Sequence, residues 1–87
     1  MKRAEIVARL FKYGFLPDSV RVSKAGVIRV EREYFFRVGR SPEGLQASVV
    51  RAFPEAVDVE CGDRFAQWPR RSFMWVSFRI PAAIPNL

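Results

Sequence analysis

Phe73 and Trp75 lie two residues apart in the stretch SFMWVSFRI, residues 72–80, and Arg79 shares their parity. Flat rings of this kind stack on nucleobases, and guanidinium groups hold phosphates through paired hydrogen bonds. The same residue types also anchor protein interfaces, where Trp, Tyr and Arg supply most of the binding energy. Phe35, Arg21, Arg29 and Arg37 occupy equivalent positions in two other alternating runs. A second cluster, Trp68-Pro69-Arg70-Arg71, falls among turn-forming residues. There a tryptophan beside paired arginines could probe a groove or grip an acidic patch. The plainer alternative is that Trp68 folds back to close the core while the arginines are solvated.

Residues able to do catalysis are sparse. The chain has no histidine, which excludes Ser-His-Asp and Cys-His arrangements and the usual zinc sites. Cys61 lacks a partner base and falls in phase with Val57 and Val59, so it reads as a small buried hydrophobe. Asp18, Glu55, Asp58, Glu60 and Asp63 carry oxygen ligands suited to magnesium, but their order follows strand parity and turn chemistry rather than a ligand pattern. No catalytic residue, metal ligand or cofactor is expected.

The bulk properties point the same way. The 87 residues amount to one small domain, 1–87, ending in a proline-containing tail at 81–87. A hydrophobic fraction of 49% with 28% charged residues is a globular composition. Net charge is +6, and of the 15 basic residues 12 are arginine. That balance favours polyanions or acidic proteins as partners, although a charge of this size also serves solubility alone. The single cysteine forms no internal disulfide and fits a reducing cytoplasm. No apolar run approaches a membrane span, and Glu5, Arg9 and Lys12 interrupt any signal-peptide core near the amino terminus.

The elements that must position these residues can be read from periodicity. Ile6, Val7, Leu10 and Phe11 recur at helical spacing, predicting a helix over 3–13 with Glu5 and Arg9 placed for an ion pair. Gly14 suits the C′ position and Pro17 bars continuation. Val20 and Val22 then alternate with polar residues, and Lys24-Ala25-Gly26 makes a hairpin turn. A second strand spans 27–38, with Arg32 interrupting its apolar parity, so a bulge, a bend or a short separate strand is expected near 31–33. Ser41-Pro42-Glu43 starts a second helix whose buried stripe is Leu45, Val49, Ala52 and Phe53. Residues 56–61 alternate as a strand, 62–71 read as a loop, and 72–80 form the last strand.

FLPDSVRV and FPEAVDV share a pattern in which Pro17, Val20 and Val22 correspond to Pro54, Val57 and Val59. The chain therefore reads as two pseudo-repeated helix–strand–strand units. The expected architecture is an α+β two-layer sandwich, with two helices on one face of a four-stranded antiparallel sheet. Its element order is the ferredoxin-like one with the first strand moved to the end. Residues 27–38 and 72–80 are then central, with 19–23 and 56–61 at the edges. The helices should cover Val20, Val22, Ile28, Val30, Tyr34, Phe36, Val38, Val57, Val59, Met74, Val76, Phe78 and Ile80.

The opposite face would display Phe35, Phe73 and Trp75, ringed by Arg21, Arg29, Arg37 and Arg79, with Arg64, Arg70 and Arg71 on or beside the long loop. Such a face suits single-stranded RNA or DNA. RNA-recognition domains place their stacking rings on the two central strands of a comparable sheet. This is a likeness of fold alone, and their basic-Gly-aromatic-Gly-aromatic signature is absent here. Glu31, Glu33, Asp58 and Glu60 on or beside this face count against a phosphate groove and suit a mixed-charge protein interface. The alternative reading is an adaptor, a subunit or a small inhibitor of a larger host or nucleic-acid-processing machine. In that case the face would be covered by a partner, a second copy in a homodimer, or the tail.

Overall fold

The fold is built from two short helices whose ends are closed by local chemistry. In the computed structural model, which describes residues 2–34 and 41–81, α1 spans Arg3–Phe11 and buries Ile6 and Leu10. Its end is a Schellman turn. The Phe15 N–H donates to Leu10 O at 3.1 Å and the Gly14 N–H to Phe11 O at 3.1 Å. The turn requires positive φ at Gly14, which is +89°. Helix α2, Pro42–Ala52, begins as the sequence predicts: Ser41 Oγ accepts from the Gly44 N–H at 3.0 Å, and Pro42 occupies the first turn. Its buried residues are Leu45, Val49 and Ala52, followed by Phe53.

The expected Glu5–Arg9 pair does not form. Glu5 instead accepts from the Lys2 backbone N–H at 3.0 Å, and Arg9 turns toward α2. Its guanidinium donates to Ala52 O at 2.6 and 3.2 Å and to the Glu55 carboxylate at 3.0 and 3.2 Å. It also lies 4.1 Å over the Phe53 ring. A carbonyl at a helix end is a better partner than a solvated carboxylate one turn away, because helix ends leave carbonyls without intrahelical donors.

Four strands form one antiparallel sheet: β1 Val20–Val22, β2 Ile28–Tyr34, β3 Val57–Ala66 and β4 Arg71–Arg79, in the order β1-β2-β4-β3. The two central strands and two edges are those expected from the sequence. The β1–β2 hairpin turns at Gly26, where φ is +84°. One face of the sheet packs on the helices. Val20, Ile28, Val30, Val76, Phe78 and Ile80 are buried there with Ile6, Leu10, Phe15, Leu45, Val49, Ala52 and Phe53, and Phe53 and Phe78 meet at 5.5 Å between ring centroids.

Three sequence expectations are corrected. No bulge occurs near 31–33; β2 pairs with β4 in unbroken register from Ile28↔Phe78 to Tyr34↔Ser72. Arg32 is accommodated on the helix side by length and charge, donating to Gly14 O at 3.0 Å with its guanidinium 4.8 Å over Phe15. The irregularity lies instead in β3, between Val57 and Glu60, where Asp58 has a φ of +53°. It reverses parity, so Val57 is 41% exposed rather than buried, while Val59 and Cys61 still pack against the core. Finally, most of the expected 62–71 loop is strand. β3 continues to Ala66, and only residues 67–70 form the turn.

Candidate functional site

The sheet face away from the helices is organised by Trp75, near the middle of β4. Strand alternation sets it on the side opposite Val76 and Met74. Across β3 its neighbour is Gly62. A Cβ built on Gly62 would fall 2.9 Å from Trp75 Cζ2 and 3.1 Å from Cε2. The indole therefore lies down over the neighbouring strand, in space that only glycine leaves open. Across β2 its register partner is Glu31, and Glu33 is the partner of Phe73.

Both rings carry a guanidinium. Arg29 lies 4.5 Å over the Trp75 ring, and Arg64 lies 4.3 Å over the Phe73 ring. Glu31 ties the two together. Its carboxylate accepts from Arg29 at 3.1 and 3.2 Å and from Arg64 at 2.9 and 3.1 Å. Glu33 accepts from Arg71 at 3.1 Å, and Arg71 lies 6.0 Å from the Phe73 ring. The hydrogen bond from Arg64, helped by that from Arg29, holds the Glu31 carboxyl below its ordinary pKa despite partial burial. The site is thus a row of two guanidinium–ring stacks with a shared carboxylate between them. Both guanidiniums lie within cation–π distance of a ring, and guanidinium groups also stack on further flat groups.

Arg21 stands directly opposite Arg29 on the edge strand, is exposed, and has no ion pair among the described residues. Two cations in register repel, so this corner is open to an added anion. A shallow groove runs beside it. Two overlapping hollows of about 290 and 320 Å³ share Asp18, Ser19, Arg21, Glu31 and Arg64, and the second reaches Leu16 and Phe73.

The remaining residues singled out from the sequence separate. Arg79 lies at the far end of the face, 4.0 Å from Asp58 and donating to Ala25 O at 3.2 Å. Arg71 belongs to the ring cluster through Glu33. Trp68 does not fold back: it is 91% exposed in the turn at residues 67–70, with Arg70 also exposed. Phe35 and Arg37 fall outside the described residues.

Sequence reasoning missed the roles of Arg64, Glu31, Glu33 and Gly62. Arg64 falls in a stretch whose composition reads as a loop, where parity carries no information. Glu31 and Glu33, which by sign oppose a phosphate groove, pair with the site's arginines instead. The available signal was register: once β3 is extended past Gly62, Arg64 falls opposite Phe73.

Cys61 faces the helix layer, and burial pushes its thiol pKa up, the reverse of an activated nucleophile. Among the described residues no group of three or more His, Cys, Asp or Glu side chains is placed to hold a metal ion. Nor is any helix among them long and apolar enough to cross a membrane. Comparison with protein-family models, curated proteins and solved structures finds no match to this chain.

Proposed function

We propose that this chain is a small non-enzymatic module that binds single-stranded nucleic acid on the open face of its sheet. The carrying observation is the pair of guanidinium-on-ring stacks, Arg29 on Trp75 and Arg64 on Phe73. Bases stack on guanidinium planes as well as on aromatic rings. Trp75 and Phe73 are two strand residues apart, roughly 6.6 Å. That is about twice the ~3.4 Å rise between bases in a duplex. The spacing suits bases splayed from one strand and does not suit a stacked double helix. Arg21, exposed and unpaired among the described residues, is positioned to take a backbone phosphate.

The architecture in this reading is a ferredoxin-like sandwich, circularly permuted so that its usual first strand comes last. The strand order β1-β2-β4-β3 supports it. The two αββ units would be pseudo-repeats that diverge at the β3 irregularity, where Val57 is exposed although its counterpart Val20 is buried. A single cysteine suits a reducing, cytoplasmic setting.

A second reading has one observation in its favour. Glu31 and Glu33 already engage Arg29, Arg64 and Arg71, leaving a face of mixed charge that suits a protein partner or a second copy of the chain. Fluorescence anisotropy of labelled single-stranded RNA and DNA, at low and near-physiological salt, separates the two. Micromolar binding that weakens steeply with salt supports the nucleic-acid reading. Absence of binding at low salt removes it and leaves the protein interface.

A further inference from the structure

The distal half of the β3–β4 hairpin contributes nothing to the core. None of residues 62–72 is buried, and none belongs to the buried cluster. Ten residues of β3 and nine of β4 make a hairpin longer than either β1 or β2. Its turn holds Trp68 at 91% exposure and Arg70, which has no ion pair among the described residues. Residues 67–71 contain two arginines and no acid. Arg71 is engaged by Glu33, which leaves Arg70, among the described residues, as the free cation of the turn beside a fully offered indole at the end of the arm. That pairing of ring and charge suits an anionic partner with flat groups.

The arm is also continuous with the sheet face. Along β4, Trp75, Phe73 and Arg71 share one parity, and β3 sets Gly62, Arg64 and Ala66 opposite them. The row of guanidinium–ring stacks therefore points along the arm toward its turn. We propose that the arm extends the nucleic-acid track and that Trp68 is a third stacking site at its end. This inference rests on the proposed function.

The distance sets the ligand length. Phe73 stands three residues from the near end of the turn, roughly 10 Å along a strand. With one splayed base per ~6.6 Å, the roughly 17 Å from Trp75 to the turn that holds Trp68 takes about three to four nucleotides. A dinucleotide fills the two inner stacks and cannot reach Trp68, whereas a hexanucleotide reaches all three. Phe65 supplies a control. It is 61% exposed on the same arm but pairs with Ser72 on the opposite parity, so it lies off the track.

The experiment is competition anisotropy with unlabelled oligouridylates and oligothymidylates of two, four and six nucleotides. It uses the intact chain, Trp68→Ala and Phe65→Ala, with thermal unfolding followed for each. The expected result is that Trp68→Ala weakens hexanucleotide binding about tenfold, as loss of one base stack should. Dinucleotide binding should stay unchanged, and Phe65→Ala should alter neither. Equal affinity of Trp68→Ala and the intact chain for the hexanucleotide overturns the arm as part of the track while leaving the sheet-face reading intact. Equal weakening by Trp68→Ala and Phe65→Ala makes the arm a general apolar contact and also overturns the proposal. No binding at any length overturns both the track and the function on which it rests.

Discussion

Gly62 and Trp75 face each other across β3 and β4, and the indole occupies the space a side chain at position 62 would need: a Cβ there would sit 2.9 Å from Cζ2. The positive-φ glycines of the described residues are Gly14 and Gly26, so the requirement at Gly62 is for room and not for backbone freedom. Gly62→Ala should therefore lift the indole off the strand and out from under Arg29. Overpacking at a partly buried ring should cost about 1 kcal/mol. The expected signature is a changed Trp75 near-ultraviolet dichroism with weakened oligonucleotide binding. An unchanged aromatic spectrum would mean that the ring does not rest on Gly62.

Trp75 and Phe78 lie three residues apart on one strand and should respond differently to truncation. Phe78 is buried against Phe53, so Phe78→Ala should destabilise the fold by about 3–5 kcal/mol. Trp75 is half-buried on the open face. Trp75→Ala should leave cooperative unfolding in place and weaken nucleic-acid binding by about tenfold or more. Chemical denaturation of both variants, with anisotropy of the second, checks the contrast. Loss of cooperative unfolding in Trp75→Ala would make the ring a core residue.

Arg9 joins the two helices through the Ala52 carbonyl, the Glu55 carboxylate and the Phe53 ring. Arg9→Ala should lower stability by about 1–2 kcal/mol, since the hydrogen bonds go to a carbonyl at a helix end and the ring contact is lost with them. Arg9→Lys should recover less than half of that, because an ammonium cannot fork between carbonyl and carboxylate. Urea unfolding midpoints of the three chains measure it, and full recovery by lysine would show that charge alone matters.

The elements set by local chemistry were legible in the sequence. Ser41-Pro42 marks the start of α2, Gly14 the end of α1, and Gly26 the first hairpin, because each answers a backbone requirement within a few residues. The central place of β2 and β4 followed only from assuming the ferredoxin-like element order; parity alone leaves the strand order open, and the observed order is β1-β2-β4-β3. What was hidden depended on contacts between distant segments. The reversal at Asp58 has only a weak local marker: aspartate is depleted in strands and tolerates positive φ, but the alternation of Val57 and Val59 around it reads as a regular strand. Gly62 and Asp63 resemble a turn until Trp75 is known to lie across Gly62. Arg32 looked like a break in β2 because its partners, Gly14 and Phe15, come from the end of α1. The candidate rings were found by parity, but the carboxylates that orient their arginines were not, because a charge reads as opposition until its register partner is known.

Glu31 joins Arg29 and Arg64, so one substitution there tests both stability and the proposed binding. Its carboxyl titrates below the ordinary value of 4.5 because Arg64 and Arg29 hydrogen-bond its charged form. The folded chain therefore binds fewer protons at this site than the unfolded chain. Its contribution is fully present above the ordinary carboxylate range and is lost as pH falls through the lowered folded value. Glu31→Gln, close in shape and unable to ionise, should flatten the acid limb of the stability curve by about 1 kcal/mol, a partly exposed pair being screened by solvent. The same change frees Arg29 and Arg64 from their shared anion. If the face binds single strands, affinity at low salt should rise, and the slope of log K against log salt should steepen by up to about 1.4, two new phosphate contacts at ~0.7 each. If the face instead meets a protein of complementary mixed charge, Glu31→Gln should leave one of the partner's cations unpaired and weaken association. Denaturation at pH 3 and pH 7, with anisotropy across a salt series, reads both effects from one variant. Oligonucleotide binding weakened by Glu31→Gln at every salt concentration would mean that Glu31 orients the arginines more than it competes for them, and the guanidinium–ring stacks would then be the binding platform only while that carboxylate holds them.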